Sequence, residues 1–345
     1  MKKSLLQQNP ASILVRSTNW IGDAVMTLPA VRTIRQNFPA ARISILAQPW
    51  VADLFNANRY VDEVLLYQKK KEHAGVRGLF RLAGELRRRH FDATILLQNA
   101  FEAALLARLA GIPIIAGYSR DARRLLLTHP AFISREIRKK HQVYYYQDLL
   151  RQLGLQCGPD ALYLDLDTEV RSKAKARAAE LPKPLVGFNP GAAYGPAKRW
   201  PEQKYAALAK TLEEKLSGTT LVFGTAADAQ AAAAIGRSAS NVVDLTGKTA
   251  LAEAMGLIEC CDLFVTNDSG LMHVAAAAGT PMVAIFGSTD AVATGPFTEQ
   301  AVVIQKDLPC IPCLKPECSR DFRCMEDIGV EEVGAAVMQL LAAKS

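Results

Sequence analysis

The sequence lacks the glycine signatures of two large nucleotide-binding classes. No GxxxxGK followed by Ser or Thr occurs, which excludes a P-loop phosphate cradle. The turn at residues 18–22 has no GxGxxG, which disfavours a dinucleotide oxidoreductase. Long apolar runs are missing too. No run of seven precedes Gln7, Gln8, Asn9 and Pro10, so no secretory signal is read there. The most apolar stretch, 274–286, contains Thr280 and Pro281 and is too short to cross a bilayer. Cysteines number seven, an odd count, and Cys260 and Cys261 fall in a segment that reads as buried. A reduced, cytoplasmic setting is therefore expected.

What is present is a chain of 345 residues, half of them apolar, with mean hydropathy +0.05. Disordered and coiled-coil classes are excluded, and the length suggests two domains. The net charge of +7 is unevenly spread. Residues 1–150 hold 23 Lys and Arg against 11 Asp and Glu, whereas residues 151–345 hold 18 against 23. The first half is thus +12 and the second −5, so an acidic partner is expected to meet the first half.

Short apolar runs alternate with helical patterns throughout. Strands are expected over 12–17, 42–47, 61–67, 92–97 and 112–117, with helices over 24–38 and 76–90. The scheme repeats with strands over 184–189, 219–223, 241–245, 263–266, 282–286 and 302–305, and helices over 202–216, 251–259 and 270–278. Such alternation implies an α/β fold with parallel sheets covered on both faces. Two doubly wound domains are expected: 1–165 and 184–329, joined by a linker over 166–183 that ends in Leu181-Pro182-Lys183-Pro184. Ligands of such domains bind at the carboxyl ends of the strands, in a cleft between the two. Residues 330–345 form an amphipathic helix with Val330, Val333, Val337, Leu340 and Leu341 on one side.

Three loops carry chemistry. After the first strand, Gly22 allows close backbone approach and Asp23 reads either as a helix N-cap or as a base for an incoming hydroxyl. After the first strand of the second half, Lys198 and Arg199 end a glycine-containing loop; they are either a solvated pair or the cations a diphosphate leaving group needs. In the third, Asn267 or Asp268 caps a helix opened by Ser269, Gly270 and Leu271, whose amides make an anion site. Asp268 is expected to position backbone amides or ribose hydroxyls, and His273 is either a phosphate neighbour or a core histidine.

Two patterns read as decoys. Asp165-Leu166-Asp167 has the DxD spacing of metal-dependent glycosyltransferases but lies in the linker. Cys310, Cys313, Cys318 and Cys324 include one CxxC, leaving structural zinc, reduced thiols and occasional disulfides all open. Basic blocks at Lys69–Lys71, Arg77, Arg81 and 87–89, and at Arg120, Arg123, Arg124, Arg135 and 138–140, lie in one domain. With Leu79, Phe80, Leu82 and Leu86 as an apolar stripe, the first block fits an anionic acceptor or an anionic membrane surface; no nucleic-acid module is visible.

Four segments together resemble the ADP-heptose:lipopolysaccharide heptosyltransferases, with heptosyltransferase II the nearest branch: RSTNWIGDAVMTLPAVR (16–32), NPGAAYGPAKRWP (189–201), LTGKTAL (245–251) and NDSGLMHVAAAAGTP (267–281). The cysteine-rich segment before the last helix is similar too. The resemblance implies a GT-B fold of two Rossmann-like domains facing across a cleft, with the last helix crossing back onto the first. It implies an ADP-heptose donor held by the second domain and a heptosyl-Kdo2-lipid A acceptor held by the first. The implied reaction inverts the anomeric centre without a metal or any cofactor, at the inner face of the inner membrane. Asp23 then corresponds to the general base and Lys198 to the lysine at the donor phosphates. Arg199, Thr249, Asp268, Ser269, Gly270, Leu271 and His273 fall to the ADP side, and Gly22, Arg120 and Arg123 to the acceptor. The chain departs from the first-heptose enzyme at Ala193, Tyr194 and Ala226, which leaves Asp228 as a substitute ribose contact.

Overall fold

The computed structural model describes residues 4–344 and divides the chain into two units, one ending at Asp165 and one beginning at Leu166. In the first unit, β1 (Ser12–Arg16), β2 (Arg42–Ala47), β3 (Glu63–Leu66), β4 (Ala93–Leu96), β5 (Ile114–Tyr118) and β6 (His129–Ala131) form one parallel sheet. Its order is β3-β2-β1-β4-β5-β6. Ile13 pairs with Ile43 on one side and Ala93 on the other, so β1 is central and its apolar residues are buried.

The second unit repeats the arrangement with β7 (Leu185–Asn189), β8 (Thr219–Val222), β9 (Val242–Asp244), β10 (Leu263–Asn267), β11 (Met282–Phe286) and β12 (Ala301–Gln305). The order is β12-β11-β10-β7-β8-β9, again all parallel. Gly187 of β7 pairs with Phe264 of β10 and leaves room for its side chain. A Cβ there would stand 2.4 Å from the Phe264 ring.

Both sheets reverse direction of winding next to their first strand, between β1 and β4 and between β7 and β10. At such a switch point the loops leaving the two strands diverge and open a crevice at the carboxyl edge. The loops after β1 and β7 are the two that carry Asp23 and Lys198.

Helix placement refines four expectations. The helix expected over 24–38 is two, α1 (Ile21–Met26) and α2 (Leu28–Asn37), broken at Thr27. The Thr27 hydroxyl donates to Ala24 O at 2.6 Å, and Pro29 in the next turn has no N–H to continue the ladder. On α3 (Gly75–Arg87) the apolar stripe divides: Leu82 and Leu86 enter the core under α4 (Phe101–Leu109), while Val76 and Phe80 are 71% and 57% exposed. A further helix, α5 (Gln142–Gln152), packs on α1 and α2.

In the second unit, the segment expected as a linker carries α6 (Thr168–Ala179), which belongs to the fold. Ala174 and Ala178 are buried against α8, reached after α7 (Glu202–Leu216) and spanning Leu251–Glu259. Arg171 pairs with Glu259 at 3.1 Å and Arg177 with Glu253 at 2.7 Å. Beyond α9 (Gly270–Ala278), the last helix, α10 (Val330–Lys344), buries Val333, Ala336 and Val337 in the second unit's own core.

Candidate active site

In the first unit the loop after β1 is held from beneath. The Arg16 guanidinium turns back into the fold, donating to Ser17 O at 2.7 Å, Leu46 O at 3.1 Å and Asn19 Oδ1 at 3.0 Å. It also lies 5.3 Å from the centre of the Tyr67 ring, and burial lowers its pKa to about 10. Trp50 Nε1 donates to Asn19 O at 2.7 Å, and the exposed Trp20 is the residue that caps α1. Asp23 is therefore not the N-cap. It stands half-buried in the first turn of α1, three residues past the cap, with Gly22 buried beside it. An anion in that turn is favoured by the helix dipole.

Asp23 faces α5. The buried Tyr146 phenol is pushed well above its ordinary pKa, chiefly by burial and then by the Asp23 charge. Tyr145 packs edge-on against Tyr146 with ring centres 5.4 Å apart and accepts from Asn99 Nδ2 at 2.7 Å. Burial raises the Tyr145 pKa, while hydrogen bonds from Asn99 and the exposed Arg120 oppose the rise. The segments after β1, β4 and β5, together with α5, thus bring Asp23, Tyr146, Tyr145, Asn99 and Arg120 into one series.

Arg123 corrects its expectation. It is 0% exposed, and its guanidinium is spent inside the unit: Nε donates to Tyr118 O at 2.8 Å, Nη2 to Asn99 Oδ1 at 2.9 Å, and Nη1 to Gln98 O. Burial lowers its pKa to about 10. It ties the loop after β5 to the loop after β4 and is not placed to meet an acceptor.

In the second unit the loops after β7 and β10 meet directly. Lys198 Nζ donates to Asp268 Oδ2 at 2.5 Å, the two side chains being 13% and 5% exposed. Thr289 Oγ1, in the loop after β11, donates to the same oxygen at 2.5 Å. Asp268 is therefore the counter-ion of Lys198, not a clamp on backbone amides. The helix cap is Ser269, with no side-chain hydrogen bond to the first turn, where Gly270 and Leu271 are half-buried. Its hydroxyl instead accepts from Asn189 Nδ2 at 2.5 Å. Asn267 serves the other loop: Oδ1 accepts from Trp200 N at 3.1 Å, and Nδ2 donates to Pro190 O at 2.7 Å.

The remaining donor-side candidates spread out from this pair. Arg199 donates to Ala192 O at 3.2 Å and faces Asp228 Oδ1 at 3.7 Å. Asp228 is 8% exposed, and its other oxygen accepts from the Thr225 amide and hydroxyl, both at 2.9 Å. It pins loops together and is spent before any ribose arrives. His273 is buried at the second turn of α9, and Thr249 is half-buried in the loop between β9 and α8. Thr289, Asn189 and Tyr194 went unassigned in the sequence. Only proximity across the sheet edge reveals them, because Lys198, Asp268 and Thr289 lie on three separate loops.

The Asp-Leu-Asp decoy is used within the fold. Asp165 is held by Arg59 and also accepts the Arg59 amide at 3.1 Å, while Asp167 caps α6 by accepting from Glu169 N at 2.8 Å. All seven cysteines are free. Among the described residues, no group of three or more His, Cys, Asp or Glu is arranged to hold a metal ion. The Cys324 thiol is pushed up by burial first, and then by Cys318, Cys310 and Cys313.

Comparison with known proteins places this architecture. The family model of glycosyltransferase family 9 (heptosyltransferase) matches residues 79–322, more than half of the chain. The chain belongs to glycosyltransferase family 9. It is 31% identical to lipopolysaccharide heptosyltransferase 2 of Escherichia coli K12, covering 85% of this chain and 87% of that protein. It is 32% identical to lipooligosaccharide heptosyltransferase 2 of Haemophilus ducreyi, over 96% and 99%. The solved structure of the E. coli ADP-heptose LPS heptosyltransferase II superposes with a TM-score of 0.81 at 30% identity, covering 96% of this chain and 99% of that one. The family 9 chain is thus a glycosyltransferase of the heptosyltransferase family, with two Rossmann-like units of the GT-B class. Among the described residues no helix is long and apolar enough to cross a membrane.

Proposed function

We propose that this family 9 enzyme transfers L-glycero-D-manno-heptose from ADP-heptose to the first heptose of the lipopolysaccharide inner core on Kdo2-lipid A. The observation that carries the reading is the Lys198–Asp268 pair at the switch point of the second sheet, beside the uncapped first turn of α9. A cation and a row of free helix amides are what a departing diphosphate requires. The choice of acceptor rests on the relatives named heptosyltransferase 2.

The second unit holds the donor. Lys198 and the amides at Ser269, Gly270 and Leu271 take up the charge that grows on ADP as the bond from heptose C1 to the diphosphate oxygen breaks. Asp268 can sit this near an anion because its own charge is met by Lys198 and Thr289. The first unit holds the acceptor, with Arg120 toward its anionic groups. Asp23 takes the proton of the attacking hydroxyl as the new bond forms on the opposite face of C1, so the configuration inverts. Charge on the leaving group is met by protein groups, and no divalent metal or other cofactor is required.

The acceptor's lipid part sets the reaction at the cytoplasmic, inner face of the inner membrane, with the enzyme bound peripherally. Val76 and Phe80 on α3 and Leu125, which is 90% exposed, support this. Arg77, Arg81 and Arg124 flank them. The test is ADP release from ADP-heptose with Kdo2-lipid A acceptors bearing no heptose, one or two, with and without chelator. Release confined to the one-heptose acceptor and indifferent to chelator is expected. Preference for another acceptor reassigns the step, and full dependence on Mg²⁺ or Mn²⁺ overturns the metal-free mechanism.

A further inference from the structure

Taking the donor role proposed for Lys198 as its basis, we propose that Tyr194 is a positioning residue that holds the Lys198 ammonium at the diphosphate subsite. It is itself anchored by the cysteine-rich strap that precedes the last helix. The contacts close a ring around the cation. Lys198 Nζ lies 4.9 Å from the centre of the Tyr194 ring. The Tyr194 hydroxyl donates to Leu314 O at 2.6 Å, and the Leu314 amide donates to Ser288 O at 2.8 Å. Ser288 adjoins Thr289, whose hydroxyl reaches the Asp268 oxygen that binds Lys198. Lys198 is therefore held by a ring and a carboxylate, and both contacts lead back to the loop after β11.

The strap is fitted closely to the donor loop. The Ala197 amide donates to Pro316 O at 3.0 Å. Gly195 has φ +152°, and a Cβ there would stand 2.3 Å from Pro316 O, so the strap lies flush on the one residue that leaves it room. Leu314 itself has φ +55°, a conformation that turns its carbonyl to the Tyr194 hydroxyl only where surrounding bonds hold it.

A long lysine side chain samples many rotamers, and only some bring its ammonium to one anionic group. An aromatic face attracts the ammonium without neutralising it. Tyr194 thus restricts Lys198 while leaving its charge for the donor, a division of labour that the carboxylate of Asp268 alone does not achieve.

ADP titration by calorimetry into full-length wild type, Tyr194→Leu, Tyr194→Phe, Lys198→Ala and the Tyr194→Leu/Lys198→Ala double variant tests the proposal. Tyr194→Leu is expected to weaken ADP binding about threefold to thirtyfold. It should raise KM for ADP-heptose and leave KM for the acceptor unchanged. Tyr194→Phe keeps the ring and should recover most of the loss. In the Lys198→Ala background, Tyr194→Leu should cost nothing further, because its effect runs through the lysine. Wild-type affinity in Tyr194→Leu, or an equal loss in both backgrounds, overturns the positioning role. Should Tyr194→Leu fail to fold, a Tyr194→Phe loss as large as that of Lys198→Ala does the same. Wild-type ADP affinity in Lys198→Ala would instead strike at the donor role of the lysine itself.

Discussion

The two units have the same strand order, yet they treat the charges at their switch points in opposite ways. In the first, the arginines nearest the crevice are turned inward: Arg16 and Arg123 are buried among carbonyl oxygens and tyrosines and serve as struts. The acidic group at that edge is the half-buried carboxylate of Asp23, beside Tyr146 of α5, and Arg120 stands exposed further along. In the second unit the cation is presented at the edge, and its counter-ion is supplied by a neighbouring loop. The more basic half of the chain therefore has a carboxylate at the carboxyl edge of its sheet, and the more acidic half has a cation there. Net charge describes the surface of each unit and is a poor guide to the sign at its site.

The sharpest way to break this contrast is to neutralise the Asp23 carboxylate. Asp23→Asn should lower kcat by about 10²–10⁴-fold, the usual worth of a general base, with ADP affinity unchanged by calorimetry. Turnover near wild type would remove the base role. The strut reading predicts a different kind of loss. Arg123→Ala should destabilise the fold by about 2–4 kcal/mol in chemical denaturation, since it strands several buried carbonyls at once. Arg120→Ala should leave stability unchanged and raise KM for the acceptor. If the two arginines behaved alike, the distinction between strut and contact would fail. On the other unit, Lys198→Ala should weaken ADP binding about tenfold to a hundredfold, the range for a hydrogen bond to a charged group. The mildest change concerns the membrane face. Arg81→Ala should reduce co-sedimentation with vesicles containing anionic phospholipid by about fivefold, from about 1 kcal/mol per basic residue near the surface. It should leave ADP affinity untouched; equal binding to neutral and anionic vesicles would count against that surface.

Much of the scaffold was legible because parallel strands buried on both faces must be apolar throughout. Runs such as SILVR and LVGFN leave little else to be. Thr27 was harder to read, since a threonine followed by Leu-Pro can lie within a helix or end one. The site was legible as three loops but not as a set of contacts. Lys198 and Asp268 are 70 residues apart, and the rule that places both at one switch point gives their neighbourhood without saying which way either side chain turns. Asp268, expected to position backbone amides or ribose hydroxyls, is the counter-ion of Lys198. Arg123 shows the same limit from the other side. In the run Arg120-Asp121-Ala122-Arg123-Arg124, a buried strut and its exposed neighbours are spelled with the same residue type, and only the turn through Asp121 and Ala122, both with positive φ, sends one of them inward.

The placement of the three tryptophans has a practical consequence. Trp20 and Trp50 stand exposed at the loop that carries Asp23. Trp200 is sealed in the second unit, two residues from Lys198, with its indole N–H on Ile328 O at 3.0 Å. Exposed indoles emit at longer wavelength and are quenched by iodide, whereas a sealed one emits further to the blue and is shielded. The native chain therefore carries two optically separable probes, one at each unit's working edge. Occupancy of the proposed donor and acceptor sides is then to be followed separately, without attaching a label.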